Sequence, residues 1–181
     1  MFDLDRFIAD CEAAVAANPD HTAVRDVTAA AVADPAAVLA RLGEPTRAGI
    51  YPLHRSKTLT IINLVWGPSM SIMPHDHRMW AVIGIYTGRE DNIFWRRRPD
   101  GRVEAAGARS CEVRDAIPLG RDIIHSVLNP IPRLTGAIHV YGGDFFKQER
   151  SEWDAEALTE RPYDTAKARQ LFEDSNRTLA A

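Results

Sequence analysis

Pro74-His75-Asp76-His77, with the β-branched and aromatic run at residues 80–86 just behind it, is the stretch on which the reading of this 181-residue chain turns. Histidines at i and i+2 of an extended segment face the same way, roughly 6.5–7 Å apart along the backbone. Their imidazoles can therefore converge on one ion at the ~2.1 Å that zinc or iron takes from nitrogen, while Asp76 points away. A lone His-x-His reads more readily as a surface turn, so its meaning depends on residues further along the chain. About fifty residues on, Pro118-Leu119-Gly120 leads into His125 at the start of another apolar run, and Ala137-Ile138-His139-Val140-Tyr141 sets a fourth histidine in a third. A third ligand must come from a strand that pairs nearby, and the turn before His125 delivers it to a strand start.

Outward from these motifs the chain divides by its periodicity. Leu4, Phe7, Ile8, Cys11 and Val15 recur at helical spacing, which predicts an amphipathic helix over 3–17 ended by Asn18-Pro19. A second helix is expected over 22–33, and Asp34-Pro35 places an N-cap and a first-turn proline before a third that stops at Gly43. From residue 50 the pattern changes to short runs at 58–66, 80–86, 92–98, 102–105, 123–128 and 136–141, separated by Gly, Pro and Asp. Strands so short and so evenly punctuated predict a small antiparallel barrel or sandwich. Pro99-Asp100-Gly101 reads as a hairpin turn, since proline presets the first turn torsion and glycine accepts positive φ. Asp164 is positioned to cap a last helix through residue 172, with a fraying tail beyond. There is no repeat or linker, so the expectation is one domain over 1–181: a helical segment over 1–45, a β-barrel over 46–150 and a C-terminal segment over 151–181.

Composition narrows the function. With 45% hydrophobic and 26% charged residues the chain is that of a globular domain, and a net charge of −3 gives no electrostatic footprint for nucleic acid. Arg96-Arg97-Arg98, beside the hairpin turn, reads as a solvated strand end, and His54, beside Arg55, as surface. The acidic start Met1-Phe2-Asp3-Leu4-Asp5 is unlike a signal peptide, and no apolar run approaches the roughly 18 residues of a membrane span, so a cytoplasmic protein without membrane association is expected. Cys11 and Cys111 match no zinc spacing and read as packed free thiols.

These motifs resemble those of the cupin superfamily. Gly67, His75, His77 and Gly88 follow its first motif with a slightly long Gly-to-His spacing, and Pro118, Gly120, His125 and Asn129 follow its second. Ala81 stands where many cupins carry a metal-binding glutamate. That departure is similar to the thiol dioxygenases, whose three ligands are neutral histidines, and residues 137–141 resemble the Ser-x-His-x-Tyr strand of those enzymes, especially the bacterial 3-mercaptopropionate branch. The resemblance covers residues 67–150.

It implies an all-β core, a cupin double-stranded β-helix preceded by a helical N-terminal segment, holding one Fe(II) on His75, His77 and His125. It further implies oxidation of a small thiol acid, 3-mercaptopropionate or cysteine, to its sulfinate by O2, with Tyr141 near the metal, His139 orienting it, and Arg150, nine residues after Tyr141, pairing with the substrate carboxylate. A guanidinium suits that task as a rigid two-pronged donor, although Arg150 also sits in a charged run that reads equally as solvated. Ala137 replaces the family serine, which leaves His139 to be held by a water or a backbone group, and Val82 replaces the cysteine that some relatives cross-link to the tyrosine. The partners expected are a small thiol and O2, with room for a homo-oligomer. The competing readings are another metal-dependent cupin reaction and a non-catalytic cupin that binds a small ligand or a metal.

Overall fold

The computed structural model describes residues 1–18 and 20–179. Three helices open the chain, α1 (Leu4–Ala17), α2 (Thr22–Val32) and α3 (Pro35–Leu42). The side chain of Asp3 accepts from Arg6 N–H at 3.0 Å and that of Asp34 from Ala37 N–H at 3.2 Å, each satisfying a donor that the first turn leaves free. Gly43, at φ 85°, ends α3 in a conformation that a side chain would resist. Pro19, expected to help end α1, lies outside the described residues.

Eleven strands come next: β1 (Gly49–Arg55), β2 (Thr60–Trp66), β3 (Ser71–Asp76), β4 (Ala81–Thr87), β5 (Arg89–Arg97), β6 (Val103–Glu112), β7 (Ala116–Leu119), β8 (Ile124–Leu128), β9 (Thr135–Tyr141), β10 (Ser151–Trp153) and β11 (Glu160–Pro162). They form two antiparallel sheets, ordered β1-β2-β9-β4-β7 and β11-β10-β3-β8-β5-β6. From β2 to β5 the chain passes to the other sheet at each strand, turns at the β5–β6 hairpin, and passes back through β7, β8 and β9 to lie beside its start. This is the cupin-type double-stranded β-helix that the motifs implied. At the hairpin, Arg98 N–H donates to Arg102 O across Gly101, which sits at φ 81°.

The two sheets differ in what covers them. Strands β2, β4 and β9 are buried on both faces, so their sequences run almost continuously apolar. One face lines the barrel interior with Ile62, Leu64, Ile83 and Ala137, and the other packs Ile61, Val82, Ile138 and Val140 under Phe7, Cys11, Val24 and Val32 of the helices. Gly84 permits this contact, since a Cβ there would stand 2.6 Å from Thr28 Cγ2. Cys11 and Cys111 are buried free thiols, both pushed up to about 12 by burial first, which keeps them protonated and inert as expected.

The C-terminal region departs from expectation. The second sheet continues past residue 150 through β10 and β11, and the run expected over 102–105 extends to Glu112. Asp164 caps α4 (Thr165–Leu179) by accepting from Ala166 and Lys167 N–H, but the helix does not fray after Phe172. Phe172 stacks on Trp66 at 5.5 Å, and buried Asn176 bonds both the N–H and the carbonyl of Ala48, so α4 is tied across one end of the barrel. The polar Asn176 anchor falls outside any apolar periodicity, which is why the sequence pattern stops short. Residues 180–181 lie outside the described residues.

Candidate metal centre

β3 and β8 are adjacent and antiparallel, with His75 directly opposite His125 in the register. His77 follows β3 on the same face as His75, and Arg78, at φ 52°, then turns the chain toward β4. Asp76 points the other way, where its carboxylate accepts from Ser151 N–H at 2.8 Å and pairs with Arg78. All three histidines are buried. His77 Nε2 lies 3.2 Å from His75 Nε2 and 3.3 Å from His125 Nε2. Nitrogens so spaced would each stand ~2.1 Å from a common ion at an angle of about 100°, between octahedral and tetrahedral demands.

The neighbours of the other ring nitrogens show which tautomers are present, by hydrogen-bond logic. His75 Nδ1 is 3.0 Å from the Met73 carbonyl, which can only accept, so this nitrogen carries the proton and Nε2 the lone pair. His125 Nδ1 is 2.6 Å from Asn92 Oδ1, with the same result. Burial pushes His75 down to about 4, the Met73 bond opposing it, and burial reinforced by the neighbouring imidazoles pushes His77 and His125 well below the ordinary histidine range. The Nε2 lone pairs of His75 and His125 converge with His77 Nε2 on one point, where a cation would take up all three nitrogens, so the donor set fits a divalent metal.

The remaining implied residues surround the same cavity. Tyr141 packs edge-on against His77, with ring centroids 5.0 Å apart, and burial raises its pKa so that it stays protonated. His139 Nδ1 is 3.1 Å from Tyr141 Oη. Arg150 is only partly exposed: its guanidinium is sandwiched over Phe145 at 4.0 Å and Tyr163 at 4.3 Å, facing the cavity, and no carboxylate among the described residues lies within ion-pair distance of it. Burial lowers its pKa, but a guanidinium remains charged. Val82 faces the helices, away from Tyr141 on the interior side. Ala81 and Ala137 are buried interior positions. Of the basic run, Arg96, Arg97 and Arg98 all pair with acidic neighbours, and His54 is partly buried against Glu12.

One side chain was missed. Glu90 on β5 is fully buried, accepting from Trp66 Nε1–H at 2.6 Å and from Asn92 Nδ2–H at 3.0 Å, with its Oε2 3.4 Å from His139 Nε2. It is therefore a carboxylate, not a water or backbone group, that faces His139. Burial opposes ionisation of Glu90, yet the contacts from His139, Asn92 and Trp66 together hold its pKa below the ordinary carboxylate range. Asp91 and Ile93 alternate with Glu90 and Asn92 toward the outside, so extending the strand expected at 92–98 by two residues would have placed Glu90 on the inner face.

No protein-family model matches the chain. Among solved structures it is similar to an RmlC-like cupin family protein with a double-stranded β-helix fold from Methanocaldococcus jannaschii, at 10% identity over 58% of this chain and 88% of that one, TM-score 0.48. It is also similar to an uncharacterized conserved protein with a double-stranded β-helix domain from Klebsiella pneumoniae, at 9% identity over 63% and 87% of the two chains, TM-score 0.48. Oxalate decarboxylase from Bacillus subtilis matches at 15% identity and TM-score 0.43 over 57% of this chain, which spans only 27% of that protein. By its strand order the protein has the cupin-type double-stranded β-helix fold, and three of its histidines could hold a metal ion. No helix among the described residues is long and apolar enough to cross a membrane.

Proposed function

We propose that the protein is an Fe(II)-dependent thiol dioxygenase that converts a small thiol acid and O2 to the sulfinate, RSH + O2 → RSO2H. The observation that carries this reading is the convergence of three neutral histidines, with no carboxylate among them, on a cavity that also receives the Tyr141 hydroxyl and an unpaired guanidinium, Arg150. Iron(II), when bound, supplies the place where thiolate and dioxygen meet and the path for electron density between them. The chain supplies the rest. Arg150 offers two parallel donors to the substrate carboxylate, held in place by the flanking Phe145 and Tyr163 rings. Tyr141 holds its hydroxyl beside the ligands, with its proton directed to His139 Nδ1. Trp66, Phe145 and Phe172 wall the cavity against water.

Only about 30 Å3 of the cavity is open to the centre of a water molecule, so a substrate must be small. Arg150 and Tyr163 also line an outer recess of about 700 Å3 and so form the partition a substrate would cross. The working setting is a cytoplasmic protein acting alone or as a homo-oligomer, with no nucleic acid or membrane partner. The test is oxygen uptake by iron-loaded protein with 3-mercaptopropionate, cysteine and cysteamine, without added reductant, with the sulfinate identified by mass. Uptake matched by sulfinate is expected for at least one thiol acid. A fully iron-loaded protein that consumes no oxygen with any of them would leave another metal-dependent cupin reaction, or simple ligand binding, in its place.

A further inference from the structure

We infer that Glu90 is the positioning residue that sets the proton arrangement of His125, His139 and Tyr141: through Asn92 it makes His125 a metal ligand, and through His139 it orients the hydroxyl of Tyr141. The inference rests on the three-histidine reading of the centre. Glu90 touches neither the ligand nitrogens nor the open cavity, so its role runs entirely through other side chains.

Two chains of hydrogen bonds start at this carboxylate. In the first, Asn92 Nδ2–H donates to Glu90 Oε1 at 3.0 Å, which fixes the amide so that its oxygen faces His125. His125 must then place its proton on Nδ1, and the lone pair is left on Nε2, 3.3 Å from His77 Nε2. In the second, His139 Nε2 is buried and finds no hydrogen-bond partner among the described residues; 3.4 Å from a carboxylate oxygen, a proton there is attracted and a lone pair repelled. His139 thus carries its proton on Nε2, and Nδ1 accepts from the Tyr141 hydroxyl at 3.1 Å. Trp66, donating to Oε2 at 2.6 Å, pins the carboxylate from the opposite sheet.

The consequence can be tested with an isosteric change. In Glu90→Gln the single remaining oxygen is claimed by the Trp66 indole, so the new amide nitrogen faces Asn92. Two NH2 groups cannot face each other, hence Asn92 reverses, presents N–H to His125 Nδ1, and drives the His125 proton onto Nε2, where the ion would bind. Adding Asn92→Asp should undo this, because an aspartate accepts from the amide on one side and from His125 Nδ1–H on the other.

The measurements are Zn(II) affinity of the full-length chain and the protonation sites of His125 and His139, read by nitrogen NMR on metal-free protein, neither of which depends on thiol turnover. Glu90→Gln is expected to weaken Zn(II) binding about 10- to 100-fold, the usual loss when the partner of a metal-bound histidine is removed, and to move the His125 proton from Nδ1 to Nε2. The Glu90→Gln/Asn92→Asp pair is expected to recover both. Unchanged Zn(II) affinity in Glu90→Gln, or a folded double variant as weak as the single one, would overturn the inference. Should neither variant fold, the wild-type chain decides it: protons on Nδ1 of His125 and Nε2 of His139 are required, and the opposite placement at His125 refutes the role of Glu90. A wild-type chain that binds no Zn(II) would instead sink the three-histidine reading, while its His125 tautomer still reports on Glu90.

Discussion

Acidification of metal-free protein should expose the histidine cluster as a stability liability of calculable size. Burial pushes His75 down to about 4 in the folded chain and holds His77 and His125 well below the ordinary range, against about 6.5 for an unfolded histidine. Below 6.5 the unfolded chain therefore binds protons that the folded chain refuses, and stability falls with pH until the folded values are reached. Between pH 7 and pH 5 His75 alone removes about 2 kcal/mol, a sizeable part of the 5–15 kcal/mol that holds an ordinary domain folded, and His77 and His125 add to it with the same sign. Carboxylates held below their ordinary range, Glu90 among them, act with the same sign but mainly below pH 5, so the window isolates the histidines. The assay is urea unfolding of chelator-treated protein at pH 7, 6 and 5, followed by tryptophan fluorescence, beside the triple variant His75→Gln/His77→Gln/His125→Gln. The wild type should lose stability steeply and the variant should be nearly flat. Equal slopes in the two proteins, or a wild type that gains stability on acidification, would refute the neutral buried triad. Saturating Zn(II) should raise stability most at pH 7, with the gain disappearing on acidification as protons displace the ion.

The geometry also sets two further outcomes. Purified protein should carry about one transition metal per chain, lost from His75→Ala, His77→Ala and His125→Ala, since a three-ligand site loses most of its chelation with one ligand; His139→Ala should keep its metal and turn over more slowly, and metal analysis of the four variants reads this directly. Arg150→Ala should impair turnover of 3-mercaptopropionate about ten- to a hundredfold more than that of cysteamine, which has no carboxylate, the worth of a charge-assisted pair of about 1.5–3 kcal/mol; Arg150→Lys should rescue in part, and equal losses on both thiols would show that the Phe145–Arg150–Tyr163 stack supports the fold instead.

The convergence of the three histidines was legible in the sequence because their spacing is itself geometry. His75 and His77 lie two apart next to β3, and His125 stands at the start of β8, the strand that pairs with it. The helices were legible through caps and periodicity, and β2, β4 and β9 through apolar runs. β5 was harder because its pattern is inverted. Its barrel face carries Glu90 and Asn92, both fully buried, while Ile93 on the other face is 37% exposed. A rule that sends apolar residues inward reads that strand backwards, and it starts the strand after the buried acid Glu90. β10 and β11, three residues each, are too short to carry any alternation; only their partners define them, β3 for β10 and β10 for β11.

That inverted strand also bears on which thiol the site would favour. Among the groups facing the interior, the Glu90 carboxylate and the Arg150 guanidinium offset each other, and the three ligand imidazoles are neutral, so the charge of a divalent ion would stand uncompensated. A ligand carrying thiolate and carboxylate matches it. 3-Mercaptopropionate is such a dianion. Cysteine brings an ammonium as well, which needs an acceptor, and the interior carboxylate Glu90 is already taken up by Trp66 and Asn92 and faces His139. Burying an ammonium without a partner costs several kcal/mol, more than one extra ionic contact returns. With the Glu90 carboxylate already engaged, on the proposed reading the balance of charge favours 3-mercaptopropionate.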